Sequence, residues 1–187
     1  VRIEIPIDLA AFARSVGAFT TPKRRQSGFA DKDASTRGRG DYLDLLGSLV
    51  VFWQFGVAGV VSRIELTSGA GDEADVRLRY QNTWTTVNVK TSEFAPFNDH
   101  LHLYVKEEEI AKPMDVYLQV FVHVGEEGDE APHVHLAGWT TTQRPPWTRY
   151  AGKLVEIPNT GGHRGVAIPV SELRPFTGLL ALGDKKF

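Results

Sequence analysis

Apolar and polar residues alternate most regularly over residues 74–94, "ADVRLRYQNTWTTVNVKTSEF". A period of two marks half-buried strands, and the polar break at Asn82-Thr83 predicts a tight turn joining two of them. Val76, Leu78, Tyr80, Val87 and Val89 then face a core, while Asp75, Arg77, Arg79, Asn88 and Lys90 share the opposite face. With the reversal centred on Asn82-Thr83, Asp75 comes nearly opposite Lys90 and diagonal to Asn88. Cross-strand neighbours lie ~4.5–5.5 Å apart, so an acid, an amide and an ammonium converge on one patch.

The flanking pattern predicts a mixed set of elements. "VRIEIPI" reads as a short strand and "DLAAFARSV" as an amphipathic helix with Asp8 as its cap. Residues 17–40 lack apolar periodicity and read as a basic loop or arm. The best helix covers 41–55, apolar at 42, 45, 46, 49, 50, 52 and 53, with Asp41 as its cap. "AGVVSRIEL" reads as a strand and "TSGAGDEA" as a turn. "LHLYVKEEEIAKP" starts extended and becomes a short helix ending at Pro113. "DVYLQVFVHV" is expected to be the longest alternating strand and central. It is followed by an acidic turn, "EEGDEAP", and a partner strand, "HVHLAGWTT". Beyond Arg144 the pattern weakens to short strands, turns and a helical turn at "SELRPF". Helix, hairpin and alternating strands together give the α/β class with a mixed sheet.

Composition narrows the function. The 187 residues, 42% of them hydrophobic, suit one domain spanning 1–187. No apolar run approaches the ~20 residues of a membrane span, and no leader pattern stands at the start, so a cytoplasmic address is expected. The absence of cysteine excludes disulfides and thiolate zinc sites. A net charge of −2 does not mark a nucleic-acid binder, but the charge is uneven. Lys23, Arg24, Arg25, Lys32, Arg37 and Arg39 face only Asp31 and Asp33 over 23–39, which suits phosphate contact or, equally, a solvated loop.

A carboxylate beside an amide oxygen can hold a hard divalent cation, and an adjacent lysine can orient water or steady an anionic oxygen. An acid heading one strand, with Asn88-Val89-Lys90 in the next, resembles the PD-(D/E)XK nuclease superfamily. Upstream, "GRGDYLDLLGSLVVFWQFGV" looks like the helix that precedes the core strands and carries a further acid near its start, here Asp41. Downstream, "LHLYVKEEEIAKPMDVYLQVFVHV" and "HVHLAGWTT" look like the later helix and strands. About residues 38 to 142 are covered. The resemblance implies a restriction-endonuclease-like core, a mixed central sheet flanked by helices, and hydrolysis of DNA with Mg²⁺ or Mn²⁺. It assigns metal ligation to Asp75, Asn88 and the Val89 carbonyl, and catalysis to these with Lys90 and an outer Asp41. Phosphate contacts would fall to Lys23, Arg24, Arg25, Arg37 and Arg39. The partner would be double-stranded DNA, often met by a homodimer, without a membrane. The departure is Asn88, where the signature has Glu or Asp: the amide ligates without charge. An inactive nuclease-fold module that binds nucleic acid or a protein is the alternative.

Other residues support rival readings. Asp75, Asn88 and Lys90 also suit an ordinary polar sheet face, and Asp41 an ordinary helix cap. Glu65 is a spare acid, and Glu93 and Asp44 are expected to face solvent. His100-x-His102 and His133-x-His135 each place two imidazoles on one strand face, a spacing that can hold Zn²⁺, Fe²⁺ or Mn²⁺ or simply line a wet face. Trp53 reads as core. Trp84 in the hairpin turn can stack on a base or pack at the turn tip. Trp139 falls at a strand end and Trp147 in a loop.

Overall fold

The computed structural model describes residues 2–4, 34–59, 61–66, 74–80, 82–93, 101–112, 114–123, 133–158 and 160–180, with side chains from 42 onward. The predicted helix at 8–16, the turn at 67–74 up to residue 73, the turn at 126–132, His100, Lys23, Arg24 and Arg25 lie outside these residues.

A mixed α/β arrangement is built on a six-stranded sheet. Its strands are β1 (Arg2–Glu4), β2 (Arg63–Leu66), β3 (Val76–Tyr80), β4 (Thr83–Glu93), β6 (Val116–His123) and β7 (His133–Thr141). They lie in the order β1-β7-β6-β4-β3-β2. Every described pairing is antiparallel except β4 with β6, which is parallel. A parallel pair needs a crossover. Here the crossover carries β5 (His102–Lys106) and the helical turn α2 (Glu107–Ile110). A smaller sheet, ordered β5-β9-β8, joins β5 to β9 (Arg164–Pro169) and β8 (Leu154–Glu156).

The alternation in β3 and β4 holds. Val76, Leu78, Tyr80, Val87 and Val89 are buried against the long helix α1 (Ala34–Ala58), while Asp75, Arg77, Arg79, Asn88 and Lys90 occupy the other face, half-buried. Each fully buried aliphatic side chain contributes ~1.5–3 kcal/mol, so this core sets the register strongly. Helix and sheet approach closely at Gly47, where a Cβ would lie 2.3 Å from Thr91 Oγ1. The C-terminal helix α4 (Phe176–Leu180) seals the same face, Phe176 packing edge-on against Phe55 at 5.7 Å.

Among the described residues the one long helix, α1, lies on that side, and the opposite face is covered by the small sheet. Leu103, Val105, Val166 and Ile168 form a second cluster there with Tyr117 and Phe121 of β6. Trp147, opening the helical turn α3 (Trp147–Tyr150), stacks on Tyr117 at 5.1 Å and is buried rather than in a loop. Strand β6 therefore carries apolar residues on both faces, as central strands do. It is central, as expected, but shorter than β4 and β7.

Three boundaries move. Helix α1 begins at Ala34, so Asp41 is an interior helical residue and not the cap, and Arg37 and Arg39 are helical rather than part of a 17–40 loop. Gly38 and Gly40 weaken a helix locally by about 1 kcal/mol each, which favours a start after them. Once 42–55 packs on the sheet, however, further turns add at one hydrogen bond per residue without a new nucleation cost. At the other end the helix runs three residues past its expected end, to Ala58, the first residue of the expected strand. It stops where Gly59 adopts φ 64° and donates to the Phe55 carbonyl. The apolar "AGVV" carries no period of two, and β2 begins only at Arg63. Trp53, expected in the core, is 37% exposed.

Candidate functional site

The β3–β4 turn is one residue earlier than expected: Tyr80 pairs with Thr83, Arg79 with Trp84 and Val76 with Val87. Moving a turn by one residue moves the pairing by two, which preserves both faces. Asp75 therefore lies beside Val87–Val89, nearer Asn88 in register than Lys90. Its amide donates to the Val87 carbonyl at 3.0 Å, and its Oδ2 accepts from the Val89 amide at 2.7 Å. Burial pushes the Asp75 carboxyl up from the usual carboxylate range. The Val89 hydrogen bond and the Lys90 charge oppose that shift, and a nearby Glu109 charge adds to it.

Glu109 is the site residue that sequence reasoning missed. The parallel β4–β6 connection carries α2 over this face, and Glu109 Oε1 accepts from Lys90 Nζ at 2.6 Å. Its other oxygen accepts from the Lys106 amide at 2.9 Å, which holds the carboxylate across the first turn of α2. The only local signal was "EEE" opening a short helix. Nothing in that run distinguishes its third member, because the contact spans 19 residues of sequence.

Asn88 stands between these groups with its Oδ1 buried and without a hydrogen-bond partner. A buried unsatisfied amide oxygen costs roughly 1–3 kcal/mol. It is a hard donor on the sheet face that Asp75 and Lys90 share. Val89 contributes its carbonyl on the edge of β4 that also carries its N–H, toward Asp75. Deeper on the same face, Gln119 of β6 pairs with Lys90 in register and donates to Ser92 Oγ at 3.3 Å.

Asp75, Asn88 and Lys90 are thus brought together. Asp41 lies on α1, the helix packed on the opposite face of the sheet. Glu65 is held by Arg63 at 3.0 Å and Arg77 at 3.6 Å; Glu93 and Asp44 are exposed. On the neighbouring strands His133 meets His135 at 5.5 Å and, across the β6–β7 ladder, His123 at 4.5 Å between ring centroids. Among the described residues no group of three or more His, Asp or Glu stands ready to hold a metal, and no helix is long and apolar enough to cross a membrane.

No family model, curated protein or solved structure matches the chain.

Proposed function

We propose that this chain is a metal-dependent nuclease with a restriction-endonuclease-like core, hydrolysing phosphodiester bonds of DNA at Asp75, Asn88, Lys90 and Glu109. One observation carries the reading. An orphaned amide oxygen, two carboxylates and a lysine converge where a helix-backed hairpin meets the crossover helix. The order of elements agrees with the resemblance in sequence: a helix, an acid heading one strand, Asn-x-Lys in the next, then a later helix and strands.

The donor set fits Mg²⁺ or Mn²⁺. Asp75 and Glu109 supply charge, and Asn88 Oδ1 and the Val89 carbonyl supply neutral oxygens, all of the hard type these cations prefer. Such an ion polarises a phosphate oxygen and lowers the pKa of an attacking water. In this reading Glu109 replaces the charge that Asn88 lacks. Glu109 would hold the cation together with Asp75, and Lys90, which donates to Glu109 at 2.6 Å, would steady negative charge on the phosphate or orient the water. The Val89 amide fixes the Asp75 carboxylate in place. Arg37 and Arg39 at the start of α1, with the segment holding Lys23, Arg24 and Arg25, would meet phosphates away from the cutting site, since α1 packs on the other face of the sheet. A homodimer would present one site to each strand.

The uncharged Asn88 supports a second reading, a nuclease-fold module that binds nucleic acid without cutting it. Cleavage of supercoiled plasmid with Mg²⁺ or Mn²⁺ separates the two, comparing the parent chain with Asn88→Asp, Glu109→Gln and Lys90→Ala. Cutting that survives in Asn88→Asp and is lost in Glu109→Gln and Lys90→Ala is expected. Binding of DNA with no cutting by any of these proteins would favour the module.

A further inference from the structure

Among the described residues, the small sheet covers only part of the polar face of the large one. Beyond it, three adjacent strands present one register row, Arg63 of β2, Arg79 of β3 and Trp84 of β4. Arg77 stands one row closer to the candidate site. Three guanidinium carbons surround the Trp84 ring, Arg77 at 4.8 Å from its centroid, Arg79 at 5.9 Å and Arg63 at 6.0 Å. Arg63 and Arg77 are 63% and 43% exposed along their side chains.

As a purely structural feature this cluster is poorly balanced. Like charges directly opposite across a ladder repel, and Arg63 faces Arg79 in that way. Among the described residues, the three arginines meet one carboxylate, Glu65, which binds Arg63 and Arg77. Arg79 donates to Asn82 Oδ1 at 3.4 Å, and its Nε is buried without a hydrogen-bond partner. The patch therefore holds a surplus of donors and positive charge around one aromatic face.

We propose that this row is a platform for a single-stranded nucleic acid segment, with Trp84 stacking on an unpaired base and Arg63, Arg77 and Arg79 taking phosphates. Arginine forks match phosphate oxygens. The half-exposed Trp84 ring, now overlain by the Arg77 guanidinium, is a surface on which an unpaired base would take that place while Arg77 turns to a phosphate. Trp84 and Asn88 are four residues apart on one face of β4, about 13 Å along the strand. A strand bound across the row thus leads into the site. The choice of occupant rests on the nuclease reading, and it gives that nuclease a substrate with an unpaired stretch.

Binding of labelled single strands and matched duplexes, in EDTA and over a range of salt, tests the platform without any cutting. Trp84→Ala is expected to weaken single-strand binding about 5- to 150-fold, while Trp84→Phe keeps most of it. The double variant Arg77→Gln/Arg79→Gln should lower the salt slope by about 1.4, two phosphates at about 0.7 each. Glu65→Gln should tighten binding. Thermal unfolding of each variant confirms that it is folded. Single-strand affinity and slope unchanged in the folded Trp84 and arginine variants would overturn the proposal, as would a preference for duplex that ignores Trp84. If the platform variants lose binding but the parent never cuts, the platform stands and the nuclease reading falls. If the parent cuts while the folded platform variants bind normally, the reverse holds.

Discussion

One face of the large sheet divides into two unlike halves. Over β6 it is sealed: Tyr117 and Phe121 lie under the small sheet, and Trp147 stacks on Tyr117 with planes 6° apart. Over β2, β3 and the start of β4 it carries arginines, Trp84 and the polar cluster around Asn88. The pattern separates them: β6 is apolar and buried on both faces, whereas β3 and β4 alternate buried with half-buried positions. What differs is the residue class placed on the outward positions. Apolar outward residues recruit a second layer, and charged ones exclude it. The candidate site stands at the boundary, where α2 brings Glu109 to the edge of the open half. Variants of the covered half should therefore cost stability, and variants of the open half should cost chemistry.

The largest expected effect tests the covered half. Trp147→Ala removes a buried indole from a stacked pair and should destabilise by about 3–5 kcal/mol, read by urea or thermal unfolding. A small loss there would mean that the second layer adds little to the fold. At the boundary, Lys90→Ala should leave the melting temperature nearly unchanged yet lower the cutting rate about 10²–10³-fold. A stability loss equal to that of Trp147→Ala would make Lys90 structural and erase the contrast. On the helix-covered face, Gly47→Ala pushes a methyl group onto Thr91 and should cost about 1–3 kcal/mol with no specific effect on binding.

The smallest effect concerns Asp75. Its carboxyl is raised above 3.8 chiefly by burial, so the folded state binds that proton more tightly than the unfolded chain. The ionised form burdens the fold above the raised pKa, and the burden lifts as pH falls through it toward 3.8. Asp75→Asn, whose amide oxygen can still accept from Val89, should therefore melt at slightly higher temperature than the parent at neutral pH. The gain should vanish toward pH 4. Mg²⁺ should raise the melting temperature of the parent and not of this variant. A lower melting temperature for Asp75→Asn at neutral pH would show that the carboxylate holds the hairpin together instead of burdening it.

Period-two alternation placed Val76, Leu78, Tyr80, Val87 and Val89 inside and Asp75, Asn88 and Lys90 outside, because a strand's geometry fixes which side chains share a face. The hairpin, the Glu107–Ile110 turn and the β6–β7 pairing were legible for the same reason: each depends on residues close in sequence. Tertiary structure decided the rest. Packing on the sheet carried α1 back through Gly38 and Gly40, where local propensity stops it. The exact turn placed Asp75 beside Asn88, a two-residue shift to which alternation is blind. The parallel crossover delivered Glu109 to Lys90, the β6–β7 register brought His123 to His133, and the β2–β3–β4 register gathered three arginines around Trp84. Those contacts join residues distant in sequence, and only the apolar burial on both faces of the sheet brings them together.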